Sequence, residues 1–250
     1  MPRRKRNLVN SGIYHIMVRG VNKEIIFKDD KDRELFIRLL YYYKNKLNCR
    51  IHAYCLMNNH VHILFEDKEF LISDFMRNIT SVYAGEFNKK HQRVGHLFQD
   101  RFKSIYVYND DYMLRLIRYI HRNPEKAEIC KTEDYKWSSY KEYIYKAKII
   151  EREKVLLKFD SNNKIAIKKF KEFVADENQE ELDRIYAADK LKDEDAKILI
   201  SDITKIKDIT LIKKYSSEIR KEIINRILEI DVLSKNQVAR VLGIGKNFKN

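Results

Sequence analysis

The 250-residue sequence predicts an α+β protein: a split βαβ sandwich, with helices on one face of an antiparallel sheet, followed by a smaller all-α domain. Two observations point there. Over the first half, the hydrophobic period switches between 2 and 3.6 in the order strand, helix, strand, strand, helix, strand, helix. Composition then shifts, because His, Tyr and the single Trp crowd residues 1–150, while the remainder is rich in Lys, Glu, Ile and Leu at helical spacing. We therefore divide the chain into domains 1–150 and 151–250. The polar run Asp160-Ser161-Asn162-Asn163 is the best linker in a chain with only 6 Gly and 2 Pro.

Each element has its own local reason. Ile13 to Val18 alternates as a half-buried strand and turns at Arg19-Gly20-Val21-Asn22. From Asp29 to Tyr43, Leu35, Phe36, Leu39, Leu40 and Tyr43 mark one face of a helix that acidic residues cap at its start. Ile51 to Met57 and Val61 to Phe65 read as strands joined by Asn58-Asn59, a pair suited to a tight turn. A second helix runs from about Leu71 to Lys90, and Gly95 to Tyr108 reads as a strand or extended loop with one basic face. Tyr112 to Asn123 is helical by period and should stop at Pro124.

In the second domain, Ile219, Ile223, Ile224, Ile227, Leu228 and Ile230 recur at helical spacing. Leu233 to Ile244 reads as the first helix and turn of a helix-turn-helix over 233–250, with Ala239 where helices approach and Gly243 at the turn. The residues after it are too few for a full recognition helix, so the segment is either a truncated motif or a plain helical pair.

Charge narrows the partners. The net charge is +14, carried mostly by residues 1–150, where 29 Lys and Arg face 18 Asp and Glu, and this favours a polyanion such as nucleic acid. Three cysteines at no repeating spacing build neither a disulfide framework nor a four-thiolate zinc site. With no apolar run of membrane length and no signal-type start, a cytoplasmic protein with no membrane partner is expected.

Two stretches carry chemistry. In Asn59-His60-Val61-His62-Ile63-Leu64, a strand places His60 and His62 on one face, a ready pair of metal ligands; the plainer reading is a polar stripe on an exposed sheet face. In Arg118-Tyr119-Ile120-His121-Arg122-Asn123-Pro124, Tyr119 and Asn123 share a helical face, so a phenol and an amide oxygen point together. Two imidazoles and an amide oxygen leave open positions on a divalent cation, beside which Tyr119 could attack a phosphodiester in line. A phenol titrates near ~10, so it needs help to lose its proton, from His121 or Lys126. Packing in the helix is the plainer role for Tyr119, one of 16 tyrosines. A zinc site adding Cys55 to the two histidines is a minor alternative. Arg19, Arg101, Lys103, Arg115, Arg118 and Arg122, with Phe102, Tyr106 and Tyr108 for stacking and the basic run Arg3-Arg4-Lys5-Arg6, form the candidate DNA surface.

Five runs together resemble a known family. Tyr14 to Gly20 (including Arg19), Tyr54 to His62, Gly95 to Ser104, Arg118 to Pro124 and Trp137 to Tyr140 are similar, in order, to motifs of the single-tyrosine HUH transposases, in particular the REP-associated (IS200-like) tyrosine transposase branch. Asn58 departs from the family, which often has Pro there. The resemblance implies a ferredoxin-like domain that recognises DNA hairpins and cuts and rejoins the adjoining single strand. It implies His60 and His62 as metal ligands with Asn123 as the third, Tyr119 as the nucleophile of a 5′-phosphotyrosine intermediate, and magnesium or manganese as the cofactor. It also implies a homodimer. A non-catalytic hairpin-binding protein and a replication-initiator-like HUH nickase are the competing readings.

Overall fold

The computed structural model describes residues 12–67, 71–107, 109–177, 191–228 and 233–245. The basic run Arg3 to Arg6, Tyr108, Ile230 and residues 246–250 of the expected helix-turn-helix lie outside them.

Strand β1 (Gly12–Arg19) is buried along most of its length, and a short 3-10 turn at Val21–Lys23 leads to helix α1 (Asp30–Lys46). Asp29 caps α1: its carboxylate accepts from the Asp32 backbone N–H, while the Asp32 carboxylate accepts from that of Asp29, satisfying two amides that the first turn leaves open. Strands β2 (Arg50–Met57) and β3 (His60–Asp67) form the expected hairpin through Asn58-Asn59. β3 pairs antiparallel with β2 on one side and with β1 on the other. A short strand β4 (Lys103–Val107) completes the sheet order β2-β3-β1-β4, giving the expected α+β architecture.

Helix α2 (Ile72–Lys90) is capped by the end of β3, where the Asp67 carboxylate accepts from the Leu71 and Ile72 backbone N–H groups. Its buried face carries Phe75, Met76, Ile79, Tyr83 and Phe87, one side of a 3.6-residue period. Phe75 meets Phe65 of β3 with ring centroids 4.6 Å apart, and Phe27, Phe36 and Tyr83 pack on one another. The Val61, Ile63 and Phe65 face of β3 is thus apolar core. The opposite face, with His62 and Leu64, is buried as well, so the histidines do not form a stripe on an exposed sheet.

Helix α3 (Asp110–Lys126) runs through Pro124, where the sequence predicts a stop. Proline removes the hydrogen bond to the carbonyl four residues earlier and crowds that carbonyl, yet the backbone bonds resume after it: Ala127 N–H donates to Asn123 O and Ile129 N–H to Pro124 O. Next, Trp137 to Ser139 line the outer edge of β2. Leu56 N–H donates to Trp137 O and Ser139 N–H to Tyr54 O, which covers an otherwise open strand edge.

Short helices α4 (Tyr140–Ile144) and α5 (Glu153–Leu156) precede α6 (Asn163–Ala175). The polar run expected as a linker is the N-terminal cap of α6. Asn162 accepts from the backbone N–H of Lys164 and Ile165, and Asp160 pairs with Lys169 at 2.7 Å. Polar residues that favour turns favour caps for the same reason, so composition alone does not separate the two.

The chain forms two compact units, Met1–Ser104 with Ile120–Asp176, and Ile105–Tyr119 with Glu177–Asn250. In the first, Phe170 of α6 stacks on Tyr143 at 4.3 Å, so this unit continues past the expected boundary at 150. In the second, α7 (Asp193–Thr204), α8 (Ser217–Leu228) and α9 (Lys235–Leu242) pack together through Leu199, Ile200, Ile224, Ile227, Val238 and Leu242. Gly243 adopts φ 64° and ends α9, a left-handed turn for which glycine is suited. Among the described residues, no helix is long and apolar enough to cross a membrane.

Candidate active site

Sheet register builds the histidine site. Arg19 and Met57 lie opposite His60, while Met17 and Cys55 lie opposite His62. The His60 and His62 rings stand 4.9 Å apart, nearly perpendicular. His62 is fully buried and His60 is half-buried. Burial drives both imidazoles toward the neutral form: the pKa of His60 falls to about 4, with the nearby Arg19 charge adding to the effect, and that of His62 falls well below its ordinary value. Neutral imidazoles are what a divalent cation binds, so the pair fits a metal without first losing protons near neutral pH.

The second layer around the pair was not singled out in the sequence. His15 of β1 sits diagonally across from His62, and its Nε2 lies 2.9 Å from His62 Nδ1. His60 Nδ1 lies 2.7 Å from Asn59 Oδ1, and the Asn59 amide donates in turn to Lys23 O. The available signal was strand alternation, which puts His15 on the Met17 face, and the hairpin position of Asn59.

Cys55 shares the histidine face but makes no zinc site. Its buried thiol is directed to Met57 Sδ at 3.6 Å, and among the described residues it joins no cluster of three metal-ligand atoms. Asp29, Asp32 and His91 bring three ligand-type atoms together, yet the Lys90 ammonium lies 2.6 to 2.7 Å from their carboxylate oxygens. That position already holds a cation, and the cluster ties the start of α1 to the end of α2.

Tyr119 and Asn123 lie one turn apart on α3, both half-buried. Tyr119 belongs to the second compact unit, and Asn123 with the histidine pair to the first. His121 is not placed as a base. It is fully buried in a box of Tyr140, Tyr143 and Phe170, hydrogen bonds to Ser139 Oγ at 2.8 Å, and has its pKa pressed down to about 3 by burial. Two residues from Tyr119, it faces the other side of the helix. The alternative helper, Lys126, is exposed at the end of α3.

The expected basic surface separates into two groups. Arg19, Arg101 and Lys103 are exposed. The segment before Arg101 is stitched to the end of β1, with Gln99 N–H donating to Arg19 O and Val21 N–H to Leu97 O. Between this segment and Thr80, Ser81 and Ala84 of α2 lies a groove of about 1030 Å³, with Arg101 and Lys103 on its rim. By contrast, Arg118 and Arg122 are 1% and 3% exposed, Arg122 lies 3.7 Å from Glu125, and Arg115 pairs with Asp202 at 3.5 Å. Helical period places these arginines on α3 without distinguishing its solvent face from its packed one, and Arg118 and Arg122 lie on the packed one.

Residues 8–123 match the family described as Transposase IS200 like. That family is one of HUH-type, metal-dependent DNA-processing enzymes, and the matched region carries both histidines, Tyr119 and Asn123. A solved structure of a REP-associated tyrosine transposase bound to a REP hairpin is similar over 58% of this chain and 86% of that one, with 17% identity and a TM-score of 0.48. No curated protein matches the chain.

Proposed function

We propose that this transposase binds DNA hairpins and cleaves and rejoins single-stranded DNA through a 5′-phosphotyrosine on Tyr119. The observation that carries the reading is the pair of imidazoles at His60 and His62, their rings 4.9 Å apart, inside the matched region that also holds Tyr119 and Asn123.

His60 and His62, with the amide oxygen of Asn123, would hold Mg²⁺ or Mn²⁺. When bound, the cation supplies positive charge to the non-bridging oxygens of the scissile phosphate. Tyr119 Oη loses its proton to water and forms a bond to phosphorus as the bond to the 3′ oxygen breaks, and that oxygen takes a proton from water, leaving a 5′-phosphotyrosine and a free 3′-OH. Attack by another 3′-OH reverses the step and rejoins strands with no loss of phosphodiester energy. Arg19, Arg101 and Lys103 neutralise the backbone, and the groove beside α2 offers room for unpaired nucleotides. A homodimer is part of the proposal.

The test incubates the protein with labelled single-stranded DNA carrying the palindromes that flank its gene, with Mg²⁺ or Mn²⁺. The expected result is a denaturation-resistant adduct that Tyr119→Phe and His60→Ala both abolish. Hairpin binding without an adduct in either metal would overturn the nuclease reading and leave a hairpin-binding protein.

A further inference from the structure

We infer that His15 is the positioning residue of the metal site, holding His62 in the tautomer whose Nδ1–H donates to His15 Nε2 and whose Nε2 lone pair serves the cation. The inference rests on the metal reading of His60 and His62 given above.

A ring nitrogen of His15 and one of His62 lie 2.9 Å apart, with ring planes only 16° from parallel, which is hydrogen-bond geometry between two imidazoles. Both rings are 2% exposed. The proton in a hydrogen bond between two imidazole nitrogens belongs to one ring or to the other. If His15 Nε2 carried it, His62 would have to keep its own proton on Nε2 and would have no lone pair for a cation. If His62 Nδ1 carries it, Nε2 is the ligand and the His15 proton sits on Nδ1.

The neighbouring histidine shows the same device with its polarity fixed independently. The Asn59 amide donates through Nδ2 to the Lys23 carbonyl at 3.1 Å, and a flipped amide would set two oxygens against each other. Asn59 Oδ1 therefore faces His60 Nδ1 as an acceptor at 2.7 Å, so His60 carries its proton on Nδ1 and presents Nε2. Asn59 and His15 thus act on the two histidines in the same sense, and both leave Nε2 as the ligand nitrogen. Outer partners that hydrogen-bond a ligand histidine fix its ring orientation as well as its tautomer, and mutating one typically costs about 10- to 100-fold in metal affinity or activity.

Two measurements on the full chain test this. Long-range ¹⁵N–¹H correlation of the metal-free wild type should show His62 protonated on Nδ1, and a His62 protonated on Nε2 would overturn the inference. Mn²⁺ titration should show 10- to 100-fold weaker binding in His15→Leu, with most of the affinity recovered in His15→Gln, whose amide oxygen can still accept. Wild-type Mn²⁺ affinity retained in His15→Leu would overturn the role of His15 alone. Absence of Mn²⁺ binding in the wild type would overturn the metal reading of the pair and this inference with it.

Discussion

His121 Nε2 lies 2.8 Å from Ser139 Oγ, and because Ser139 also accepts from the Tyr54 backbone N–H, one buried hydroxyl joins α3 to the outer edge of β2. This contact has a pH signature. Burial holds the folded pKa of His121 near 3, against an unfolded value of 6.5, so between those pH values only the unfolded chain takes up the proton. The stability contribution is present in full above pH 6.5 and falls as pH drops toward 3, by at most about 1.4 kcal/mol per pH unit for one histidine. Urea unfolding at pH 7.5, 6 and 5 should show this slope reduced by one proton in His121→Gln. An equal slope in both proteins would show that His121 is accessible to protons when folded.

Ser139→Ala should cost about 1–3 kcal/mol, because it strips partners from two buried groups, His121 Nε2 and the Tyr54 amide. Hydrogen exchange should then quicken at the β2 edge before the rest of the sheet. Loss confined to α3 would mean that the edge is held by its backbone bonds alone.

The Lys90 ammonium at the start of α1 makes a different prediction. Because Lys90 already neutralises Asp29 and Asp32, Asp29→Asn should leave Mn²⁺ stoichiometry and affinity unchanged, while Lys90→Met lowers the thermal midpoint by leaving the buried Asp32 carboxylate without its ammonium partner. A metal titration that loses one equivalent in Asp29→Asn would place a cation there instead.

The sheet and its helices were legible in the sequence because local period decides them. The paired strands ending at Met57 and starting at His60, the Asp-capped α1 and the aromatic face of α2 all follow from spacing. What failed was whatever depends on which side of an element is covered. Arg118, His121 and Arg122 read as a reactive, basic helix end, yet tertiary packing buries all three. Asp160 to Asn163 read as a linker because cap and loop share the same residues. The histidine pair was visible from its i, i+2 spacing, whereas its partner His15 lies 47 residues away and is brought in only by β1–β3 register.

Gly20 is needed for its lack of a side chain and not for its backbone angle, which is an ordinary φ of −62°. A Cβ there would collide with the Glu24 carbonyl oxygen and lie 2.8 Å from Ile26 Cγ2, and both belong to the turn that leads out of β1. Gly20 N–H also donates to Asn59 O, which adjoins His60. Gly20→Ala should therefore destabilise by about 1–3 kcal/mol through overpacking and weaken Mn²⁺ binding as the Asn59 position shifts. Loss of stability with metal affinity intact would separate the turn from the site.

Exposure sorts the arginines into two experimental classes. Arg101 and Lys103 are exposed beside the groove, so Arg101→Ala and Lys103→Ala should each weaken hairpin DNA binding and reduce the slope of log affinity against log salt by about one, with the thermal midpoint unchanged. Arg118 is 1% exposed, and Arg118→Met should lower the thermal midpoint while leaving the salt slope alone. Binding isotherms between about 50 and 200 mM salt, over which log affinity falls linearly with log salt, distinguish the two. A reduced slope in Arg118→Met would mean that this side chain reaches phosphate when DNA binds, and that α3 moves to present it.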